Sequence, residues 1–218
     1  MAEEPQSHGW WQTIPGVLTA TAGVITAVTG LLVALSSSGI FTQLDQSPAP
    51  PLVLKIRDEL LAKAHEFTLG NPHTETPEPQ QTPVPRNEGY WQRFERGYVY
   101  WSPTTGAHLV LGAIFDVWTD LGREQGMLGF PTTDELPTPD TRGRFNHFQN
   151  GSIYWTPQTG AQEVHGLIRD KWASMGWERS SLGYPVSGEK PFDHGRISNF
   201  EHGRIIWTPA GGIEVKHE

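Results

Sequence analysis

The residues that recur at matching positions of this chain are aromatic. Tyr98, Tyr100 and Tyr154 fall on one parity of short alternating runs, and Trp101, Trp155 and Trp207 fall on the other. Exposed aromatic faces flanked by polar groups are suited to stacking sugar rings, so these rings are the chemistry to consider first. The three tyrosines, opposite the apolar face, are the predicted ligand-binding residues. Inter-repeat packing is an equally good use for them, since a Tyr hydroxyl can stay wet at a rim while its ring packs. The tryptophans are predicted to be core, together with Trp118 and Trp172. No catalytic set appears: there is no Gly-x-Ser-x-Gly elbow, His-Glu-x-x-His, phosphate-cradling Gly loop or calcium loop. His147 aligns with Arg93 and Asn199, so it is not a repeated ligand. His194 and His202 bracket one hairpin and read as surface histidines rather than a metal pair. Asp116 and Asp170 recur once per helix and read as helix-surface or capping groups. The expectation is a protein that is not an enzyme, with no catalytic residues, no metal and no cofactor.

The elements that position the aromatics are β-hairpins. Gly143 to Pro157 recurs as Gly89 to Pro103 and as Gly195 to Pro209, at offsets of 54 and 52 residues. A fixed period of this size marks a repeat architecture. Asn150-Gly151 predicts a tight turn with positive φ, and Arg96-Gly97 and His202-Gly203 hold the same place. Strand alternation puts Ile153 with Trp155, Val99 with Trp101 and Ile205 with Trp207 on a core face. Short third strands end on Val110, Val164 and Val215, placing hairpins near 89–110, 143–164 and 195–215. The third copy reads as worn, with Ile197 for Phe145 and one residue fewer after Trp207. Between hairpins, Ile114, Trp118 and Leu121, and then Ile168, Trp172 and Met175, follow helical spacing, ended by Gly122 and Gly176.

The net charge is −8 with no basic cluster, which argues against nucleic acid as a partner. There are no cysteines, so thiol chemistry and zinc ribbons are excluded. Residues 1–13 form a short tail whose first nine residues carry no Lys or Arg, unlike the basic start of a secretory signal. Residues 14–41 carry no charge, and 28 such residues exceed the roughly 20 needed to span a bilayer. This stretch is predicted to be a single transmembrane helix, with the lipid bilayer as partner. Gly16, Ala20, Gly23, Ala27, Gly30 and Ala34 fall on one stripe of it, which fits self-association into a homo-oligomer. Residues 42–86 read as a Pro-rich linker with a short helix at about 52–69. Five prolines between Asn71 and Arg86 predict an extended spacer without a core of its own.

Leu128-Gly129-Phe130-Pro131 returns as Leu182-Gly183-Tyr184-Pro185. With the Trp-bearing helix before it and the hairpin after it, this tetrapeptide resembles the LGFP repeat family, over about residues 88–218. The resemblance implies a mostly β fold with short helices, in which tandem hairpin-and-helix repeats form a propeller-like assembly in residues 87–218. Three hairpins but only two helix-plus-tetrapeptide connections predict an incomplete ring. The family implies a non-catalytic module of the bacterial cell envelope that associates with cell-wall polysaccharide or peptidoglycan. Behind the predicted helix, the repeat domain would stand outside the cytoplasm. The competing reading is a membrane-anchored protein–protein interaction or sensor module with a cytoplasmic repeat domain. Lys55 and Arg57, the nearest basic residues, lie on the C-terminal side of the span and lean slightly that way.

Overall fold

The computed structural model describes residues 51–83 and 89–218. Among the described residues no helix is long and apolar enough to cross a membrane. The predicted tail, span and Gly/Ala stripe within residues 1–41 lie outside them.

Among the described residues three units follow one another. Each has a helix, a Leu-Gly-x-Pro corner, a short edge strand and a three-stranded meander. The helices are α1 (Pro51–Glu66), α2 (Gly112–Asp120) and α3 (Gly166–Met175). The first sheet holds β1 (Gln80–Gln81), β2 (Tyr90–Phe94), β3 (Gly97–Ser102) and β4 (Gly106–Val110). The second holds β5 (Leu136–Pro137), β6 (Arg144–Phe148), β7 (Gly151–Thr156) and β8 (Gly160–His165). The third holds β9 (Lys190–Phe192), β10 (Gly195–Phe200), β11 (Gly203–Thr208) and β12 (Gly212–His217). Each sheet is antiparallel with its strands in chain order, and none is closed.

The layers alternate. Ile56, Leu60 and Ala64 of α1 bury against Phe94, Val99 and Leu109 of the first sheet. Ile114 and Trp118 of α2 lie between Tyr100 and Val110 of the first sheet and Phe148 and Ile153 of the second. Ile168 and Trp172 of α3 lie between Tyr154 and Val164 of the second sheet and Phe200 and Ile205 of the third. The first two sheets are therefore covered on both faces, and no unit can bury its apolar surface alone. The last sheet ends the stack differently. Its outer face carries Arg204 and Lys216, ion-paired to Glu218 and Glu214, where the earlier units carry Tyr98 and Ser152 beside the buried Tyr100 and Tyr154.

The tetrapeptide clamps the hairpin turn. Leu128 O accepts from Asn150 N, and Phe130 O accepts from Gln149 N, both at 3.0 Å. Leu182 and Tyr184 do the same for His202 and Glu201. The turn residues are thus Gln149-Asn150, with Phe148 paired to Gly151, and neither has positive φ. This corrects the turn expected at Asn150-Gly151. Glycine stands at 151 for a different reason: a Cβ there would lie 2.5 Å from Leu128 Cδ2. The glycine that does need positive φ is the second residue of the corner, Gly129 and Gly183, each at +71°.

The region expected to be a spacer is the first copy of this corner. Leu69-Gly70-Asn71-Pro72 places Leu69 in the core at 2 % exposure and Gly70 at φ +85°. Its Leu69 and Asn71 carbonyls accept from Arg96 N and Glu95 N. Pro72 bridges Phe94 as Pro131 bridges Phe148 and Pro185 bridges Phe200. The chain then runs along the sheet edge through β1, with Thr76 and Thr82 buried. There are three connections, one before each hairpin, and α1 is the first repeat's helix. No residue is missing after Trp207 either. Thr208 pairs with Gly212 as Thr156 pairs with Gly160, so Gly212 takes the turn.

Candidate binding pockets

Two pockets occupy equivalent places, one at the start of α2 and one at the start of α3. The first, about 210 Å³, is lined by Leu111, Gly112, Ala113, Ile114, Glu135, Arg144 and Trp155. The second, about 180 Å³, is lined by Gly166, Leu167, Ile168, Glu189, Arg196 and Trp207. Six positions match in register: a Gly that opens the helix, two residues of its first turn, a Glu just before the edge strand, an Arg and a Trp.

Local structure explains the shape. Leu111 and His165 are extended residues before each helix, and neither caps it with a side chain. Gly112 (φ +47°) and Gly166 (φ +53°) turn the backbone into the helix, and a Cβ on either would meet nothing within 4 Å. The space beside the helix start is therefore open. β6 and β10 supply the Arg, and β7 and β11 the Trp directly across the ladder, Arg144 opposite Trp155 and Arg196 opposite Trp207.

The charges are arranged alike. Arg196 Nε donates to Glu189 Oε1 at 2.8 Å and its Nη2 to Glu189 O at 3.2 Å. Arg144 binds the Glu135 carboxylate through Nε and Glu135 O through Nη2. The carboxylates are nearly buried, at 9 % and 6 % side-chain exposure, while Arg144 and Arg196 are 41 % and 36 % exposed. Burial works to raise the Glu189 pKa, but hydrogen bonds from His165 and Arg196 outweigh it and hold the carboxyl below its usual range. Chemically, each pocket offers an aromatic wall, an apolar helical turn, guanidinium donors and a carboxylate acceptor with the charge already balanced.

The first unit differs. Tyr90 stands where the others have Arg, its ring centroid 6.2 Å from that of Trp101. Trp101 Nε1 donates to Glu59 of α1 at 2.6 Å, so the indole is engaged from its own helix.

The tyrosines lie elsewhere. Tyr100 and Tyr154 are 1 % and 2 % exposed, packed edge-on to Trp118 and Trp172. Burial pushes both hydroxyls up from their ordinary pKa. This corrects the expectation of ligand-facing rings at these two positions, because the strand face opposite the apolar one is covered by the next helix. Tyr98 is half-buried, stacked on Phe115 at 4.2 Å with Arg93 over it. Trp118 and Trp172 are fully enclosed, whereas Trp101, Trp155 and Trp207 keep an exposed edge. Leu128, Gly129, Phe130, Pro131, Leu182, Gly183, Tyr184 and Pro185 make the clamped corners, with Phe130 and Tyr184 buried in the seam between units. Sequence reading passed over Arg144, Arg196, Glu135 and Glu189 as a set. Their signal was Gly-Arg at 143–144 and 195–196, each following a Glu.

His147 and Ser152 also meet, with Nδ1 2.7 Å from Oγ. Arg169 Nε donates to the same Oγ at 2.8 Å, which brings the guanidinium charge close to His147. Its pKa is lowered to about 4, first by burial and second by the Arg169 charge. Ser152 is wholly buried, with no face for a substrate. His194 is exposed and Asp170 pairs with neighbouring Arg169 on the surface of α3. Among the described residues no group of three or more His, Asp or Glu is placed to hold a metal.

The family model described as LGFP repeat matches residues 69–126, 128–180 and 182–218, each match opening on the corner leucine. This chain belongs to the LGFP repeat family. No curated protein matches it. The first LGFP match begins at Leu69, in the Pro-rich stretch, in agreement with a corner there.

Proposed function

We propose that this chain is a non-catalytic cell-envelope protein whose LGFP repeats associate with cell-wall polysaccharide or peptidoglycan. Membership in the family is consistent with an envelope-associated repeat protein. The observation that carries the reading to a site is the recurrence of one small Trp-, Arg- and Glu-lined pocket at two equivalent positions. Each pocket stays open beside a helix start that no side chain caps. The uncharged segment 14–41 would hold the domain at the membrane, and external display would bring it to the wall.

Sedimentation with purified cell walls, with Trp155→Ala and Trp207→Ala together as control, tests the binding. Protease access to the C-terminus in intact cells tests the display. Retention on walls that falls with the double variant, and an accessible C-terminus, are the expected results. A protected C-terminus would sink the wall reading and favour a protein partner inside the cell.

A further inference from the structure

We infer that the two pockets are matched subsites for separate uncharged sugar units of a single polysaccharide chain, each taking one ring. The inference rests on the glycan reading above and specifies its ligand.

Size sets the first limit. Pockets of about 210 and 180 Å³ fall below the roughly 300–1,000 Å³ that enclose a drug-sized ligand. Each has room for about one ring. The ring's apolar face has the indole and the first helical turn to lie against, Ala113 and Ile114 in one pocket and Leu167 and Ile168 in the other.

Charge sets the second limit. Every sugar hydroxyl is both donor and acceptor. A guanidinium beside a carboxylate offers one acceptor and several donors, which suits a pair of adjacent hydroxyls. An anionic ligand would compete with Glu135 for Arg144 and leave a nearly buried carboxylate without its guanidinium, which is strongly unfavourable, and at Glu189, which also pairs with His165 at 3.2 Å, it would remove one of two partners. The chain's net charge of −8 adds to that exclusion. A cation would have to displace the arginine in turn. The occupant is therefore neutral.

Repetition sets the third. Sheet and helix alternate, so the pockets are one sheet and one helix apart, roughly 20 Å from layer spacings of about 10 Å each. A ligand that fills both must itself repeat. Each contact is weak, and joining two on one polymer raises the apparent affinity by about 10²–10⁴ without new contacts.

The test uses the full chain in detergent, with a purified neutral cell-wall polysaccharide, its short oligosaccharides, and polygalacturonate as an anionic polymer. Affinity is measured by calorimetry and hydrogen exchange is followed on the wild type. We expect the neutral polymer to bind and polygalacturonate not to bind at physiological salt. The first turns of α2 and α3 should gain exchange protection together. Arg144→Lys or Arg196→Lys keeps the charge but loses the fork. Either alone should weaken polymer binding about 10-fold or more, while a short oligosaccharide shows one site in place of two. Protection at one helix only, or equal binding of polygalacturonate, would overturn the inference. So would polymer binding undiminished in the Arg144→Lys, Arg196→Lys double variant. These results would leave wall association standing through another surface. No binding to any wall glycan would remove both readings. The exchange measurement needs no variant, so a misfolded substitution does not stop the test.

Discussion

Tyr184 donates its hydroxyl to Asp140 Oδ1 at 2.5 Å, joining the corner of the third repeat to the edge of the second. Thr138 Oγ1 lies 2.8 Å from the same hydroxyl. Phe130, at the equivalent place one repeat earlier, has no hydroxyl, and its ring lies beside the first repeat's Gly89. The two corner rings are therefore held by different means: packing alone at Phe130, packing plus a charge-assisted hydrogen bond at Tyr184. Tyr184→Phe should lower stability by about 1.5–3 kcal/mol, the range for a hydrogen bond to a charged group. Chemical denaturation of the variant checks it, and an unchanged midpoint would mean that water replaces the contact at no loss.

A second link between repeats is polar and fully enclosed. Asn146, at 0 % exposure, donates from Nδ2 to Leu109 O in the first sheet and to Thr133 O in its own connection, both at 2.9 Å. Asn146→Leu keeps the volume and leaves one buried and one partly buried carbonyl without those donors. The expected cost is about 2–4 kcal/mol, because stranded acceptors lose their full solvation. Urea unfolding monitored by tryptophan fluorescence gives the number. A loss below about 0.5 kcal/mol would show that the seam relaxes to re-pair them.

The pattern of alternation made the hairpins, the helices and the enclosed Trp118 and Trp172 readable, because Gly, Phe, Trp and Pro recur in register, whereas Trp101, Trp155 and Trp207, expected in the core, keep an exposed edge. It misled where a sheet has two buried faces. Tyr100 and Tyr154 sit opposite Val99-type positions, and strand periodicity names one core face without saying whether a helix will cover the other. The first corner was hidden by chemistry, not by spacing. Asn71 stands where Phe130 and Tyr184 stand because no earlier described unit lies there for an aromatic ring to enter, so Leu69-Gly70-Asn71-Pro72 lost its most recognisable residue. The pockets were hidden because their residues come from four separated segments that only the fold brings together.

The neutral His147 gives a pH dependence with a definite sign. Its folded pKa of about 4 lies below the ordinary 6.5, so between those values the unfolded chain binds more protons. Stability contributed by this group is complete above about pH 6.5 and is lost as pH falls toward 4. After allowance for partial exposure the loss is about 2 kcal/mol. Melting temperatures taken from pH 7 to 4.5 should fall, and His147→Asn, the residue found at 199, should flatten that part of the curve. A decline of the same slope in the variant would assign it to the carboxylates instead.

If α1 is the helix of the first repeat and not a stray segment of linker, the domain cannot do without it. Ile56 and Leu60 are fully buried and Ala64 nearly so, and they cover Val99 and Leu109 on a face that no other described helix reaches. A chain beginning at Pro51 keeps every buried contact of the three described units, so it should melt cooperatively. A chain beginning at Leu69 exposes that apolar face, losing several side chains that contribute about 1.5–3 kcal/mol each when fully buried. A domain of marginal stability, about 5–15 kcal/mol, does not survive that loss intact. We expect the shorter chain to lose its cooperative transition or to associate through the bared sheet, read by circular dichroism and by light scattering. If it melts as a monomer at the temperature of the longer chain, α1 is dispensable and the repeat begins at the corner.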